Sequence, residues 1–193
     1  MIKNVFDETC RRYENILKNY YPSFDSIGFT ERNLTFNFCN SFFKIANNDE
    51  LVIWQEVPIK NQENNAKKEH FDSLIINDKD KSLFLIEAKR LNSKVKIEEF
   101  ESDLARMYKK WSQIKFSDFY DEKIYSKYLI VLADIWIPCD EKYSKPKNSL
   151  QKSFFSKIEA DEFYSREIFK NKKSLTEKEK YWIFCAAYRI KAS

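Results

Sequence analysis

The chain of 193 residues has one glycine, four prolines and one histidine. With Gly28 alone, neither a G-x-G-x-x-G dinucleotide loop nor a Walker-type phosphate loop can be built. So little Gly and Pro also argues against a long flexible linker. A single histidine and four scattered cysteines, with no C-x-x-C pair, argue against a structural zinc site. Cys10, Cys39, Cys139 and Cys185 read instead as buried reduced thiols. No apolar run approaches a membrane span, and the opening MIKNVFDETCRRYENILKNYY is too charged for a secretory signal. The expectation is a cytoplasmic protein with no membrane partner.

What is present suffices for one packed core. The chain is 43% hydrophobic, 17% aromatic and 33% charged, and its length fits a single domain over 1–193. The net charge of +4 is unevenly spread. Residues 141–193 carry 13 Lys/Arg against 7 Asp/Glu, whereas residues 1–140 carry 21 against 23. A basic carboxy-terminal third could track a phosphate backbone, although Lys-rich helix surfaces look the same.

The periodicity predicts a helix over 3–20, with Val5, Phe6, Tyr13, Ile16, Leu17 and Tyr20 on one face and Tyr21-Pro22 ending it. A second helix is predicted over 31–46, capped by Thr30, with Leu34, Phe38, Phe42 and Ile45 at helical spacing. Leu34, Phe36 and Phe38 also alternate, so a strand is the rival there. Strands are predicted at 51–59, 70–77 and 82–89, the last two joined by the polar turn NDKDK. Pro58 fits only a strand end or an edge. The stretch 60–69 reads as a solvated link. A long amphipathic helix is expected over 97–114, then a strand at 128–137, apolar on both parities and so covered on both faces. The remainder, about 150–191, reads as helical. Phe154, Phe155, Ile158, Phe163, Ile168 and Phe169 would supply core faces. Ser174 and Glu177 form a capping-box pattern before a last helix with Trp182, Cys185, Ala186 and Ile190. The order gives an α/β fold with a mixed sheet of at least four strands and helices packed on it.

The chemistry concentrates in HFDSLIINDKDKSLFLIEAKR, residues 70–90. An acid-x-Lys tripeptide alone means nothing, since chance gives about four and three occur. Glu87-Ala88-Lys89 differs from Asp121-Glu122-Lys123 and Asp140-Glu141-Lys142. It closes an apolar strand whose neighbour carries its own acid, Asp72. Side chains alternate along a strand, so Glu87 and Lys89 share a face, and Asp72 can lie across from them. Two carboxylates 4 Å apart repel by about 1 kcal/mol even in water. A divalent cation removes that repulsion, and hard oxygen ligands suit Mg²⁺ or Mn²⁺. A lysine beside the metal would favour a bound water as hydroxide for in-line attack on phosphorus.

HFD…LFLIEAK resembles the PD-(D/E)xK nuclease superfamily, the fold of restriction endonucleases and many repair and defence nucleases. The matched region is about 30–137: helix, three strands, helix, strand. The resemblance implies a three-layer restriction-endonuclease-like core with additional N- and C-terminal helices. It implies Asp72 and Glu87 as metal ligands with the Ala88 backbone carbonyl, Mg²⁺ or Mn²⁺ as the metal, and Lys89 positioning or activating the water. Phe71 stands where the family name has proline. Many such families add a glutamate from the helix before the first strand. Glu31 is the leading candidate and Glu14 its rival, while a first-turn acid serving the helix dipole is the alternative for Glu31.

Glu56, flanked by Trp54, Val57 and Ile59, reads as a further site carboxylate ahead of a strand-end ion pair. His70 shares strand parity with Asp72 and is a candidate phosphate contact or proton carrier, against the plain reading of a surface histidine. Glu99, Asp103, Arg106 and Lys110 form a polar stripe at helical spacing. It reads first as a salt-bridged solvent face, with Arg106 and Lys110 as candidate phosphate contacts. Asp134 is read as a structural hydrogen-bond acceptor. The expected function is therefore a metal-dependent hydrolase of DNA phosphodiester bonds, an endonuclease of restriction, defence or repair type. The alternative is an inactive nuclease fold serving as a nucleic-acid-binding or assembly subunit. A third reading has the carboxylates as structural ion pairs with Lys89 and Arg90 in a protein-binding domain. DNA stands ahead of RNA as partner. Restriction-type cutters often work as homodimers, but no residue identifies a dimer face.

Overall fold

In a computed structural model of the chain, residues 1–19, 30–47, 50–58, 70–92, 94–111, 114, 122–137, 147–149, 151, 152, 154, 156, 158–170 and 180–190 are described. The elements run α1 (Ile2–Asn19), α2 (Glu31–Ala46), β1 (Leu51–Pro58), β2 (His70–Asn77), β3 (Ser82–Arg90), α3 (Lys94–Lys110), β4 (Ser126–Ile137), β5 (Glu162–Lys170) and β6 (Lys180–Ile190). The strands form one mixed sheet in the order β1-β2-β3-β4-β6-β5. Among the described strands only β3 and β4 pair in parallel, with α3 lying between them in sequence. All other neighbours are antiparallel.

The sheet is covered on both faces. On one face, α1 and α2 pack Val5, Phe6, Tyr13, Leu34, Phe38 and Phe42 onto Ile75, Phe84, Ile86, Ile130 and Leu132. On the other, α3 packs Phe100 and Met107 onto Leu85, Leu129, Val131 and Ala133. The alternation within β4 decides which residue serves which layer, and its buried run from Leu129 to Ile137 matches the doubly covered strand expected from sequence. Each fully buried Phe or Leu contributes about 1.5–3 kcal/mol, so these two cores fix the helices firmly. Phe42 against Phe84, with ring centroids 4.7 Å apart, seats α2 over β3. Phe100 against Phe154, at 4.8 Å, secures α3 from the other side.

Local chemistry sets the ends of α2. The Thr30 side chain accepts the Asn33 N–H, the N-cap predicted from sequence. Asn47 closes the helix in the left-handed region at φ 45°, its N–H bonded to the Phe43 carbonyl. Helix therefore wins over the strand alternative for 34–38. The β2–β3 turn is built by Asn77, whose side chain accepts the Asp80 N–H and donates to the Asp80 carboxylate. Pro58 ends the edge strand β1, where no ladder bond is lost. Tyr20, Tyr21-Pro22, Gly28 and the link 60–69 lie outside the described residues.

The helical expectation for the carboxy-terminal region is corrected. Helical backbone occurs at described positions between 147 and 156, but 162–170 and 180–190 are strands. β6 pairs β4 from Lys127/Ile190 to Ile137/Lys180, in the middle of the sheet. Tyr181, Ile183, Cys185 and Ala187 face the α1/α2 core, while Phe184, Ala186 and Tyr188 face the α3 core. With both faces buried, YWIFCAAY has no period, so helix and strand read alike. Trp182, Cys185, Ala186 and Ile190 are strand residues, as are Phe163, Ile168 and Phe169. Phe154 and Ile158 do join the α3 core. Phe155, Ser174 and Glu177 lie outside the described residues. The long helix α3 also ends earlier than expected, and Trp111 and Ile114 are buried beyond it.

Cys10, Cys39 and Cys185 are free buried thiols, and burial pushes Cys39 up to about 11. Cys139 lies outside the described residues. Among the described residues, no helix is long and apolar enough to cross a membrane.

Candidate active site

β2 and β3 part company where the candidate residues begin. Their ladder runs from Asn77/Ser82 to Ser73/Ile86 and stops, so the next pair in register would be Asp72 and Glu87. β3 continues to Arg90, held along its other edge by β4 as far as Asp134. This makes a fork, with Asp72 on one arm and Glu87, Ala88 and Lys89 on the other. The Ala88 N–H donates to Asp72 Oδ2 at 2.8 Å, a side-chain oxygen standing in for a strand carbonyl. A strand residue directs its N–H and C=O to the same edge, so the Ala88 carbonyl faces the opening too.

β1 is distorted at the matching point. Gln55 pairs Ser73 and Val57 pairs Phe71, but Glu56, opposite Asp72, is out of the ladder at φ 54°. That left-handed backbone costs a non-glycine residue about 1–2 kcal/mol. It turns Glu56 outward, where it pairs with His70 Nε2 at 2.7 Å and Arg32 at 3.3 Å. Arg32, Thr35, Gln55, Glu56 and Asp72 line an open cleft of about 190 Å³.

Two helices close on the fork. Glu31, first residue of α2, accepts the Arg90 N–H at 3.0 Å, and its charge acts on both Asp72 and Lys89. From α3, Asp103 pairs with Lys89 Nζ at 2.8 Å. Arg106 pairs with Asp103 at 3.0 Å and with Glu87, donates to the His70 carbonyl at 3.3 Å, and lies over the Phe71 ring.

Burial sets the charge states. Glu87 is only 3% exposed, and burial, then the neighbouring Asp72 charge, pushes it up to about 9 against the pull of Arg106. Asp72 is also raised, chiefly by burial, although the Ala88 N–H and a hydrogen bond with Glu87 favour its charge. The two carboxyls thus behave as one hydrogen-bonded acid pair. Lys89 loses hydration on burial, yet the Asp103 hydrogen bond and charge outweigh this and raise it. Lys89 therefore stays an ammonium at neutral pH. It can hold a water or neutralise phosphate charge, but it has no lone pair to accept a proton.

Asp72, Glu87, Lys89 and Glu31 thus come together, with Arg106 touching Glu87. Glu56 and His70 sit at the cleft rim beside Asp72. Lys110 is the last residue of α3, one turn beyond Arg106. Glu14 lies exposed on α1, where its charge acts on Cys10 and Arg11. Asp134 is buried and accepts the Tyr181 hydroxyl at 2.5 Å, in line with its structural reading. The polar stripe on α3 divides: Glu99 pairs with Lys96 near solvent, whereas Asp103 and Arg106 turn to the fork. Sequence reasoning gave no site role to Asp103 or Arg32. The signal for Asp103 was an acid three residues before an arginine on the helix that directly follows the acid-x-Lys strand.

Among the described residues, no three His, Cys, Asp or Glu side chains are grouped as a ready metal site. Each acid is engaged by its own chain: Asp72 by the Ala88 N–H, Glu87 by Arg106 and Glu31 by the Arg90 N–H. The donor chemistry nonetheless fits a hard divalent cation, which takes one or two carboxylates plus water. Burial, and after it mutual repulsion, keeps a proton on the Asp72–Glu87 pair, and such a cation would offset both. No protein-family model, no curated protein and no solved structure matches the chain.

Proposed function

We propose that this chain is a divalent-metal-dependent nuclease of the PD-(D/E)xK kind, with a restriction-endonuclease-like core over about 30–137, acting on DNA phosphodiester bonds. The observation that carries the reading is the fork itself: Asp72 opposite Glu87, with Lys89 on the same strand and Glu31 at its tip. Four residues separated by up to 58 positions in sequence meet where two paired strands diverge.

Asp72, Glu87 and the Ala88 carbonyl would hold Mg²⁺ or Mn²⁺, which supplies Lewis-acid polarisation of the phosphoryl group and a more acidic water. The Lys89 ammonium, kept charged by Asp103, holds the attacking water by hydrogen bond and offsets negative charge on the phosphate oxygens. Glu31, tied to the Arg90 N–H, fixes the strand tip and adds negative charge beside Asp72. Arg32 and the Glu56–His70 pair give the cleft rim groups for phosphate and sugar. Phosphodiesters of RNA have the same reacting centre, so RNA belongs in the test.

The test is incubation with plasmid, linear single- and double-stranded DNA and single-stranded RNA, with Mg²⁺ or Mn²⁺. Metal-dependent cleavage lost in Lys89→Ala is the expected result. No cleavage of any substrate above that variant overturns it. One observation favours a second reading, a non-cleaving nucleic-acid binder: all three acids already have partners within the chain. Calorimetry with no Mn²⁺ binding, beside salt-sensitive DNA binding, would select it.

A further inference from the structure

Arg106 is the most heavily engaged cation at the fork. Its Nη2 reaches both Glu87 and Asp103, its Nη1 donates to the His70 carbonyl, and its Cζ lies 5.2 Å from the Phe71 ring centroid. These contacts tie α3 to both arms of the fork. One buried donor is left unsatisfied: Arg106 Nε has no acceptor among the described residues. A guanidinium has five donors in a fixed fork, and a buried donor without an acceptor is costly. The side chain is thus held in place by an arrangement that does not fully satisfy it.

Glu87 Oε1 cannot serve a guanidinium and a divalent cation at once. We propose that Arg106 is the resident counter-ion of the Asp72–Glu87 acid pair, which occupies Glu87 Oε1 in the free protein and is displaced from it by the divalent cation onto the phosphate of a bound nucleic acid. The inference rests on the nuclease reading above and adds an order of events to it. Arg106 blocks the metal site until a cation competes for Glu87. Asp103 and the His70 carbonyl keep the displaced guanidinium beside the fork. Its planar donors match two phosphate oxygens better than one carboxylate oxygen. Metal and nucleic acid then help each other to bind, because phosphate gives the displaced arginine its new partner.

The experiment titrates MnCl₂ calorimetrically into the full chain as wild type, Arg106→Gln, Arg106→Lys and Lys109→Gln. Lys109 is an exposed cation on the same helix, so its variant measures the loss of a positive charge alone. Arg106→Gln is expected to bind Mn²⁺ about tenfold more tightly than wild type, within the usual range of coupling between sites. Lys109→Gln should match wild type within about twofold, since exposed charges are screened. In parallel, fluorescence anisotropy follows a labelled 30-base-pair duplex with and without Ca²⁺, which avoids any dependence on cleavage. Wild type should bind the duplex more tightly with Ca²⁺, and Arg106→Gln should lose most of that gain. Equal Mn²⁺ affinity in wild type and Arg106→Gln overturns the displacement while leaving the nuclease reading intact. No Mn²⁺ binding by any of the four proteins overturns both. If circular dichroism shows Arg106→Gln unfolded, Arg106→Lys decides, because a lysine cannot span Glu87, Asp103 and the His70 carbonyl together. Unchanged Mn²⁺ affinity in Arg106→Lys then counts against the proposal.

Discussion

Two buried polar clusters lie one residue pair apart in this sheet, and they are built on opposite terms. Arg90 and Asp134 are paired in register on β3 and β4. Beyond Asp134, on the α1/α2 face, Tyr181 donates to the Asp134 carboxylate and hydrogen-bonds Tyr13, while burial holds both phenols above their usual range. One step back along β3, on the α3 face, Glu87, Lys89, Asp103 and Arg106 crowd together with Asp72. The first cluster is a chain of neutral hydroxyls ending on one acid. The second concentrates charge where acids repel and a guanidinium donor is left idle. Hydrogen-bonded hydroxyls around one acid stiffen a core. Charges of both signs packed together respond to any ligand that changes their balance.

The sharpest way to break this comparison is to swap the expected consequences. Lys89→Ala should reduce metal-dependent cleavage by about 10²–10³-fold, the usual cost of removing a transition-state charge partner, with the fold retained by circular dichroism. Tyr181→Phe should do the reverse. Cleavage stays within about twofold, while the lost bond to a buried carboxylate costs about 1–3 kcal/mol in urea unfolding. A Tyr181→Phe protein that is inactive yet fully stable would erase the distinction.

Asp134→Ala is next in size. It leaves the Tyr181 hydroxyl buried without its acceptor, so a loss of about 1–3 kcal/mol, or roughly 2–4 °C per kcal/mol, should appear in calorimetry. A smaller effect follows from Glu87. Its folded value of about 9 lies above the ordinary 4.5, so the folded protein holds a proton that the unfolded chain gives up. That contribution is complete below pH 4.5 and is lost as pH rises through about 9. Glu87→Gln cannot ionise and escapes the loss. Measured without metal, its stability relative to wild type should be greater at pH 9 than at pH 4.5 by at least about 1.4 kcal/mol, one pKa unit's worth. A flat difference between the two pH values would show that burial does not govern this acid. Least of all, Arg32→Ala should alter stability by under about 0.5 kcal/mol, since its pair with Glu56 is solvent-exposed. A few-fold weaker duplex affinity by anisotropy would still mark it as a rim contact.

Legibility in the sequence followed burial. Glu31 could be found because Thr30 caps a helix of ordinary amphipathic period, and that helix leads toward β1. Asp72, Glu87 and Lys89 could be found because an acid is conspicuous at the end of an apolar strand. β6 could not be told from a helix, because a strand buried on both faces alternates in nothing. The α3 stripe was ambiguous for a related reason. Spacings of three and four give the same ladder whether it faces water or a fork, and only tertiary placement separates Asp103 from Glu99. The left-handed Glu56 had no sequence signal at all, since glycine or asparagine would ordinarily mark such a backbone.

The parallel pairing of β3 with β4 also sets a clock. The β2–β3 hairpin closes through a four-residue turn and is the kind of local structure that forms in microseconds. The far end of β3 has no such help: it waits for α3 to fold back and β4 to dock alongside, across more than 40 residues of chain. The tip that carries Lys89 is therefore among the last parts of the molecule to set. A chain still emerging or refolding would possess its hairpin long before it possessed an assembled fork.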